Sequence, residues 1–223
     1  MTVTHSLARF ASVVLDVDST LSSLEGIDWL AGLRGDAVAR EVSALTDRAM
    51  AGEIPLESVY AQRLALIRPT RSEITTLGRA YIREVQAGAR ALCSVLAANG
   101  SEVTLLSGGL RDAILPLADY LEIPASRVHA VRVRFDENGA YHALDGEQPL
   151  ATQRGKPMTL HALKLSRPLV MVGDGSTDAA VRGVSDSFIA YTGVARRANV
   201  VAVADAEASD FHVLHDLLLR EIA

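Results

Sequence analysis

Cysteine is all but absent from this chain: Cys93 is the one example in 223 residues, so no intrachain disulfide can form. It stands in the helical pattern Ala91-Leu92-Cys93 with Val95-Leu96 following, where a small core residue is expected. Aromatic residues are scarce at 4%, which leaves few platforms on which bases could stack. A formal net charge of −5 argues the same way, because affinity for a phosphate backbone comes from clustered Lys and Arg. No nucleic-acid partner is expected, and an anionic substrate would require a local basic pocket. Long apolar runs are missing as well. The first one ends at Asp16, too short and too soon charged for a signal peptide or a membrane span, so the expectation is a cytoplasmic enzyme with no membrane partner. The histidines (His5, His129, His142, His161, His212 and His215) keep no metal-ligand spacing; even His212 and His215, which could share a helix face, read as surface residues. Internal repeats, low-complexity tracts and Pro/Gly-rich linkers are also lacking.

What the chain has in plenty is apolar material, 49% against 22% charged, enough to exclude disorder and to fill one α/β domain carrying an insertion. From about Glu25 to Arg83 the pattern is helical throughout. Breaks at Gly32-Leu33-Arg34-Gly35, Gly52-Glu53-Ile54-Pro55 and Arg68-Pro69-Thr70 predict roughly four helices and no strand. From about Ala87 apolar strands and helices alternate: helix 88–98, strand Glu102–Leu106, helix 109–121, then a hairpin of Val131–Phe135 and Tyr141–Leu144 around Asn138-Gly139. Helix 156–165, strand Pro168–Val172, a helix from about Thr177, a short strand Phe188–Tyr191 and a helix from about His212 complete the pattern. Such alternation predicts a Rossmann-like, mostly parallel sheet with helices on both faces. The first strand belongs to that sheet. Residues 1–21 and 86–223 are therefore expected to form the α/β core, and 22–85 a small helical cap overhanging its C-terminal edge, placed to exclude water.

Ser12-Val13-Val14-Leu15 is short, β-branched and apolar, as suits a strand buried on both faces, and Asp16, Asp18, Ser19 and Thr20 have no place in such an interior. The two carboxylates therefore emerge at the strand's C-terminal edge, where open α/β sheets bind ligands, and they repel unless a cation or proton intervenes. A magnesium-dependent phosphoryl-transfer site is one reading; a polar strand exit that caps a following helix is the other. Similar clusters recur. Leu105-Leu106-Ser107-Gly108-Gly109 ends a strand with a hydroxyl, two glycines and a helix start, so free amides can face an anion or simply cap the helix. Met171-Val172-Gly173-Asp174-Gly175-Ser176-Thr177-Asp178 ends another with two more carboxylates among glycines, which let backbone approach a metal or phosphate closely. Lys156, in Arg154-Gly155-Lys156-Pro157 just before a helix, can reach the same edge as a point charge for phosphate, or stay solvated. Four such clusters on one edge are not independent accidents.

In this order, with a helical insertion after the first, DVDST, SGG, GK and GDGSTD resemble the four motifs of the haloacid dehalogenase-type phosphohydrolases, over nearly the whole chain. Glu25-Gly26-Ile27-Asp28, Arg48-Ala49-Met50, Arg63-Leu64-Ala65-Leu66-Ile67 and Gln148-Pro149 are similar to segments of the phosphoserine phosphatase branch of that family. The resemblance implies that Asp16 is a nucleophile forming an aspartyl-phosphate, and that Asp18 protonates the leaving oxygen and then activates water. It implies Mg²⁺ held by Asp16, the backbone carbonyl of Asp18 and Asp174, with Asp178 in the outer shell. Ser107, the Gly108 N–H and Lys156 would hold the phosphoryl oxygens. Glu25 and Arg63 match the positions that take the ammonium and carboxylate of a free amino acid, with Met50, Leu56 and Thr177 completing the pocket; Leu56 stands where phenylalanine is frequent. The implied reaction converts O-phospho-L-serine to L-serine and phosphate, the last step of serine biosynthesis, in a monomer or homodimer. Another small phosphomonoester (phosphothreonine, phosphohomoserine or a sugar phosphate) keeps the chemistry and changes only the lid's choice. An aspartyl-phosphate signalling module is the reading outside enzymes.

Overall fold

The computed structural model describes residues 5–50, 54 and 56–222. A short strand β1 (His5–Ala8) precedes β2 (Ser12–Leu15), and four helices follow: α1 (Gly26–Gly32), α2 (Asp36–Met50), α3 (Leu56–Ile67) and α4 (Arg71–Arg83). Then come α5 (Ala89–Ala98), β3 (Glu102–Leu110), α6 (Arg111–Tyr120), β4 (Val128–Val131) and the hairpin β5 (Val133–Phe135) and β6 (Tyr141–Leu144). The chain continues through α7 (Gly155–Leu163), β7 (Leu169–Gly173), α8 (Ser176–Ala179), β8 (Ser187–Tyr191), α9 (Ala198–Val201), β9 (Ala206–Ala208), α10 (Phe211–Leu218) and β10 (Leu219–Ile222).

Six strands form the central sheet, in the order β4-β3-β2-β7-β8-β9, and every pairing is parallel. β2 takes a middle place because both its faces are apolar. Val13 and Leu15 enter one core layer beside Val103, Leu105, Val170 and Val172, while Val14 enters the other beside Leu106, Met171 and Phe188. That division is the two-residue period of a pleated strand, with a helical layer covering each face. No helix among the described residues is long and apolar enough to cross a membrane. Cys93 is buried in the first layer, where burial pushes its thiol up to about 12.

Helices α1 to α4 interrupt the chain between β2 and α5, and an isolated bridge joins Ser22 to Val85 where the insertion leaves and rejoins the sheet. α4 starts with a capping box, in which Glu73 N–H donates to Thr70 Oγ1 at 3.3 Å and Thr70 N–H to Glu73 Oε2 at 2.8 Å. It packs along α6, and Gly78 permits the contact: a Cβ there would sit 3.0 Å from both the Ala113 carbonyl oxygen and Pro116 Cγ. Arg34, just after α1, grips Glu73 through both terminal nitrogens at 2.7 and 2.6 Å and donates to the Ile67 carbonyl at 2.7 Å. The end of α1 is thereby fixed to the α3–α4 junction. The hairpin braces the same corner, since Arg71 N–H donates to the Gly139 carbonyl and the Arg71 guanidinium lies over the Phe135 ring.

Several boundaries differ from the sequence expectation. β3 continues through Ser107-Gly108-Gly109 to Leu110 with a register shift, so the helix begins at Arg111 and SGG lies in an irregular strand end rather than at a helix start. Val131 belongs to β4 of the main sheet, not to the hairpin. The chain departs at Arg132, whose N–H donates to Gln148 Oε1 at 2.9 Å. The helix expected from Thr177 is the single turn α8. β1 and β10, which pair antiparallel with each other, and the edge strand β9 were not expected. The predicted break at Gly52-Glu53-Ile54-Pro55 lies, apart from residue 54, outside the described residues.

Candidate active site

Because β2 and β7 are parallel neighbours in register, the residues that follow them arrive together at one edge. Asp16 still belongs to the ladder, its N–H donating to the Val172 carbonyl at 3.0 Å, and Asp174 follows directly after β7. Oxygens of Asp16, Asp174 and Asp178 lie within 4.8 Å of one another, all three residues buried. Asp178 can stand so close because Gly173 has no side chain, since a Cβ there would land on the Asp178 carboxyl group. Lys156, in the first turn of α7, answers this charge: its Nζ lies 2.8 Å from Asp16 Oδ1 and donates to Asp178 Oδ1 at 2.5 Å. Burial alone would pull the Lys156 ammonium down, but the charges of Asp16 and Asp178 outweigh it and hold its pKa above the usual lysine value. Asp178 is also accepted into the loop through Oδ2, which receives the Gly175 N–H at 2.9 Å.

Three buried carboxylates offer hard oxygen donors to a metal ion, and Asp16 Oδ1 has the Lys156 ion pair for company but no well-aligned hydrogen bond among the described residues. The residues present therefore fit a metal ion. Burial, and then the charge of Asp16, push the Asp178 carboxyl up to about 7 against the pull of Lys156.

Asp18 sits differently. Its Oδ1 accepts from the Tyr81 hydroxyl at 2.6 Å and from the Gly26 N–H at 2.8 Å. Its Oδ2 faces Gly109, where a Cβ would come within 2.8 Å. Burial raises its pKa to about 7, the charges of Glu25 and Asp16 add to the rise, and the two hydrogen bonds oppose it. At neutral pH this carboxyl is poised between its acid and its base.

One cavity of about 450 Å³ joins these groups. Asp16, Asp18, Gly108, Lys156, Asp174, Thr177 and Asp178 line it from the sheet edge, and Glu25, Asp28, Tyr60 and Arg63 from the insertion. Ser107 is not in the lining: it is fully buried behind Gly108, with its Oγ accepting the Gly109 N–H at 2.9 Å. Met50 closes α2 and Leu56 opens α3, but their side chains lie outside the described residues. Glu25, though its side chain is 48% exposed into the cavity, is enclosed by enough protein that desolvation raises its pKa above the usual carboxylate range. The Ser19 hydroxyl donates to it at 2.7 Å. Arg63 reaches Asp28 Oδ1 at 2.5 Å through one terminal nitrogen and leaves its Nε buried without an acceptor among the described residues.

Four members of this site escaped the sequence reading. Arg197 pairs with the Asp174 carboxylate and lies 3.8 Å from Glu25. It stands six residues past the end of β8, immediately before α9, too far along for the strand-end rule that exposed the aspartates. Asp28 lies one helical turn beyond Glu25, a spacing that puts both on one face. Tyr60 and Tyr81 carry no such signal, because a tyrosine within a helix reads as core.

No protein-family model matches the chain. Among curated proteins it is similar to the phosphoserine phosphatase of Bos taurus, 38% identical over 217 residues that cover 94% of this chain and 96% of the relative. The phosphoserine phosphatase of Homo sapiens is 37% identical over 203 residues, 90% of this chain and 89% of that one. Among solved structures, a phosphoserine phosphohydrolase-like protein from Francisella tularensis superposes with a TM-score of 0.82 at 27% identity, covering 92% of this chain and 98% of its own. Identity at this level along almost the full length of both partners means that the chain belongs to the phosphoserine phosphatase family of haloacid dehalogenase-type hydrolases.

Proposed function

We propose that the chain hydrolyses O-phospho-L-serine to L-serine and phosphate through an aspartyl-phosphate on Asp16, with Mg²⁺ as its cofactor. The observation that carries this reading is the single cavity with Asp16 and Asp18 on its floor and Glu25 and Arg63 on its wall, in a member of this family. An Asp16 oxygen attacks phosphorus, and the bond from phosphorus to the serine oxygen breaks as the new one forms; an ionised carboxylate needs no activating base for this. Asp18 protonates the departing oxygen. Two donors already occupy its Oδ1, which leaves Oδ2 to carry the proton. With a carboxyl held near 7, Asp18 then takes a proton from the water that attacks the phosphoenzyme and releases phosphate.

Lys156, the Gly108 N–H and the Ser107 hydroxyl are assigned to the phosphoryl oxygens. Mg²⁺, when bound, neutralises phosphate charge, and Asp16, Asp174 and the Asp18 backbone carbonyl are its proposed ligands. Asp178 is kept in the outer shell, in keeping with the engagement of both its oxygens by Lys156 and Gly175. For the amino-acid end, the buried, unpaired Arg63 Nε suits a carboxylate, and Glu25 suits an ammonium. Residues 22–85 act as the specificity cap in this proposal, with Met50, Leu56 and Thr177 shaping the pocket. The reaction is taken as the closing step of serine formation in the cytoplasm, by a monomer or homodimer, a setting that suits a buried, unpaired Cys93.

Phosphate release from L-phosphoserine and a panel of other phosphomonoesters, with and without Mg²⁺, tests the proposal, with the Asp16→Asn protein as control. A strong Mg²⁺-dependent preference for phosphoserine is expected. Activity centred on another ester would keep the aspartyl-phosphate chemistry and overturn the substrate, a long-lived phosphoprotein would favour a signalling module, and normal turnover by Asp16→Asn would overturn the mechanism.

A further inference from the structure

Tyr60 projects from α3 across the cavity, and its hydroxyl donates to the Gly108 carbonyl at 2.8 Å. That carbonyl and the Gly109 N–H belong to one planar peptide unit. The unit is held at its other end as well, because the Gly109 N–H donates to Ser107 Oγ at 2.9 Å. A peptide between two glycines is the one the backbone fixes least, since neither neighbour has a Cβ to restrict rotation. Its orientation therefore depends on these two hydrogen bonds together with the β3–β4 pairing at Leu106 and Leu110 on either side. Ser107 is fully buried, so water does not replace it, whereas Tyr60 and Gly108 line the cavity, where a water in place of the hydroxyl would lack the ring that fixes it.

We propose that Tyr60 is a positioning residue for the phosphate pocket, fixing the Gly108–Gly109 peptide and through it the Ser107 hydroxyl. The inference rests on the phosphatase reading above and deepens it. The Gly109 N–H fills an acceptor site of Ser107 Oγ, so the orientation of this peptide also limits where the Ser107 hydroxyl proton can point, behind the Gly108 lining. Without the tyrosine hydroxyl the peptide keeps only its Ser107 tether between those two strand pairs, and the pocket no longer meets the phosphoryl group ready-made. Tyr60 reaches this loop from the insertion, so a catalytic-core element is completed by a residue of the helical layer over it. Tyr60 touches the loop and not the reacting atoms, which separates its role from those of Asp16, Asp18 and Lys156.

Tyr60→Phe keeps the ring and removes the hydroxyl. Steady-state turnover of L-phosphoserine and calorimetric titration with orthovanadate in Mg²⁺ are the two readouts, the second independent of which ester is the substrate. The expected result is a fall of about tenfold in kcat and a matching loss of vanadate affinity, the size of one hydrogen bond, with KM for phosphoserine changed less than about twofold. Tyr60→Leu, which lacks the hydroxyl with the ring, is expected to show the same loss, so the result does not hang on one variant's folding. Vanadate affinity and kcat within about twofold of wild type in Tyr60→Phe, or a rise in KM alone, overturn the inference. If the wild type binds vanadate but does not turn over phosphoserine, the substrate assignment fails, and the vanadate ratio still decides the role of Tyr60.

Discussion

Replacing Lys156 by methionine isolates the charge balance of the site. Its Nζ lies 2.8 Å from Asp16 Oδ1 and 2.5 Å from Asp178 Oδ1, and only 5% of its side chain is exposed. Unit charges this close attract by roughly 6 kcal/mol at an effective dielectric near 20, most of which offsets the cost of taking the groups out of water. Methionine keeps the volume and loses the charge, leaving two buried carboxylates to face each other. A loss of about 3–5 kcal/mol is expected, the usual result of removing one partner of a buried pair. The deficit also has a direction in pH. Asp178 already stands near 7, above the 3.8 of an ordinary aspartate, and loss of the lysine raises it further. The unfolded proteins titrate alike, so the deficit grows only as pH rises through about 7, where Asp178 ionises beside the lysine but stays protonated in the variant, and it is smaller and level below that. Urea unfolding followed by circular dichroism, in the presence of a chelator, at about pH 8 and about pH 5, measures both effects. A deficit below about 1 kcal/mol, or one equal at the two pH values, would refute the reasoning.

Three further outcomes follow from other parts of the molecule. The Arg34 guanidinium holds the Glu73 carboxyl down at about 2 from an ordinary 4.5, so the pair stabilises above about pH 4.5 and that contribution fades as pH falls toward about 2. Glu73→Gln should lower stability by about 1 kcal/mol at neutral pH, allowing for screening at a partly exposed pair, with the urea midpoints of the two proteins converging through that window; a gap independent of pH would count against it. Gly173→Ala puts a methyl on the Asp178 carboxyl group and should cost about 1–3 kcal/mol along with most of the turnover, so an unchanged melting temperature would contradict the packing described for β7. Arg63→Ala should raise KM for phosphoserine about tenfold or more with a smaller change in kcat, and an unchanged KM would remove Arg63 from the substrate's carboxylate.

The sheet edge was legible because burial is unforgiving. A run such as Val13-Val14-Leu15 must end before a pair of aspartates, and the same logic exposed Asp174 and Asp178. Helical spacing likewise revealed the insertion after β2. Ala206-Glu207-Ala208 carries no strand propensity of its own and becomes β9 only because β8 offers an edge to pair with. Ser107-Gly108-Gly109 was read as a helix start since glycine and serine favour one; the register shift that keeps it in β3 depends on β4, a tertiary partner invisible to local pattern. Tyr60 and Tyr81 were hidden for another reason. Their rings satisfy the helical pattern as core residues do, and only their hydroxyls, aimed at the Gly108 carbonyl and at Asp18, set them apart.

The attachment of the insertion is uneven, and this bears on how such a protein could change its substrate. Tyr81 of α4 and the first amide of α1 both hold Asp18, and Arg34 clamps the end of α1 to the start of α4. α4 is in turn seated on α6 through Gly78. These two helices are foundation. α2 and α3 are the roof, and Arg63 belongs to them. A recombinant that exchanged only residues 36–67 would change what stands over the cavity while leaving Asp18 under the hydrogen bonds that set its proton. The hydrogen bonds on Asp18 therefore survive change in α2 and α3, and within that stretch Tyr60 has to be kept for the Gly108 carbonyl.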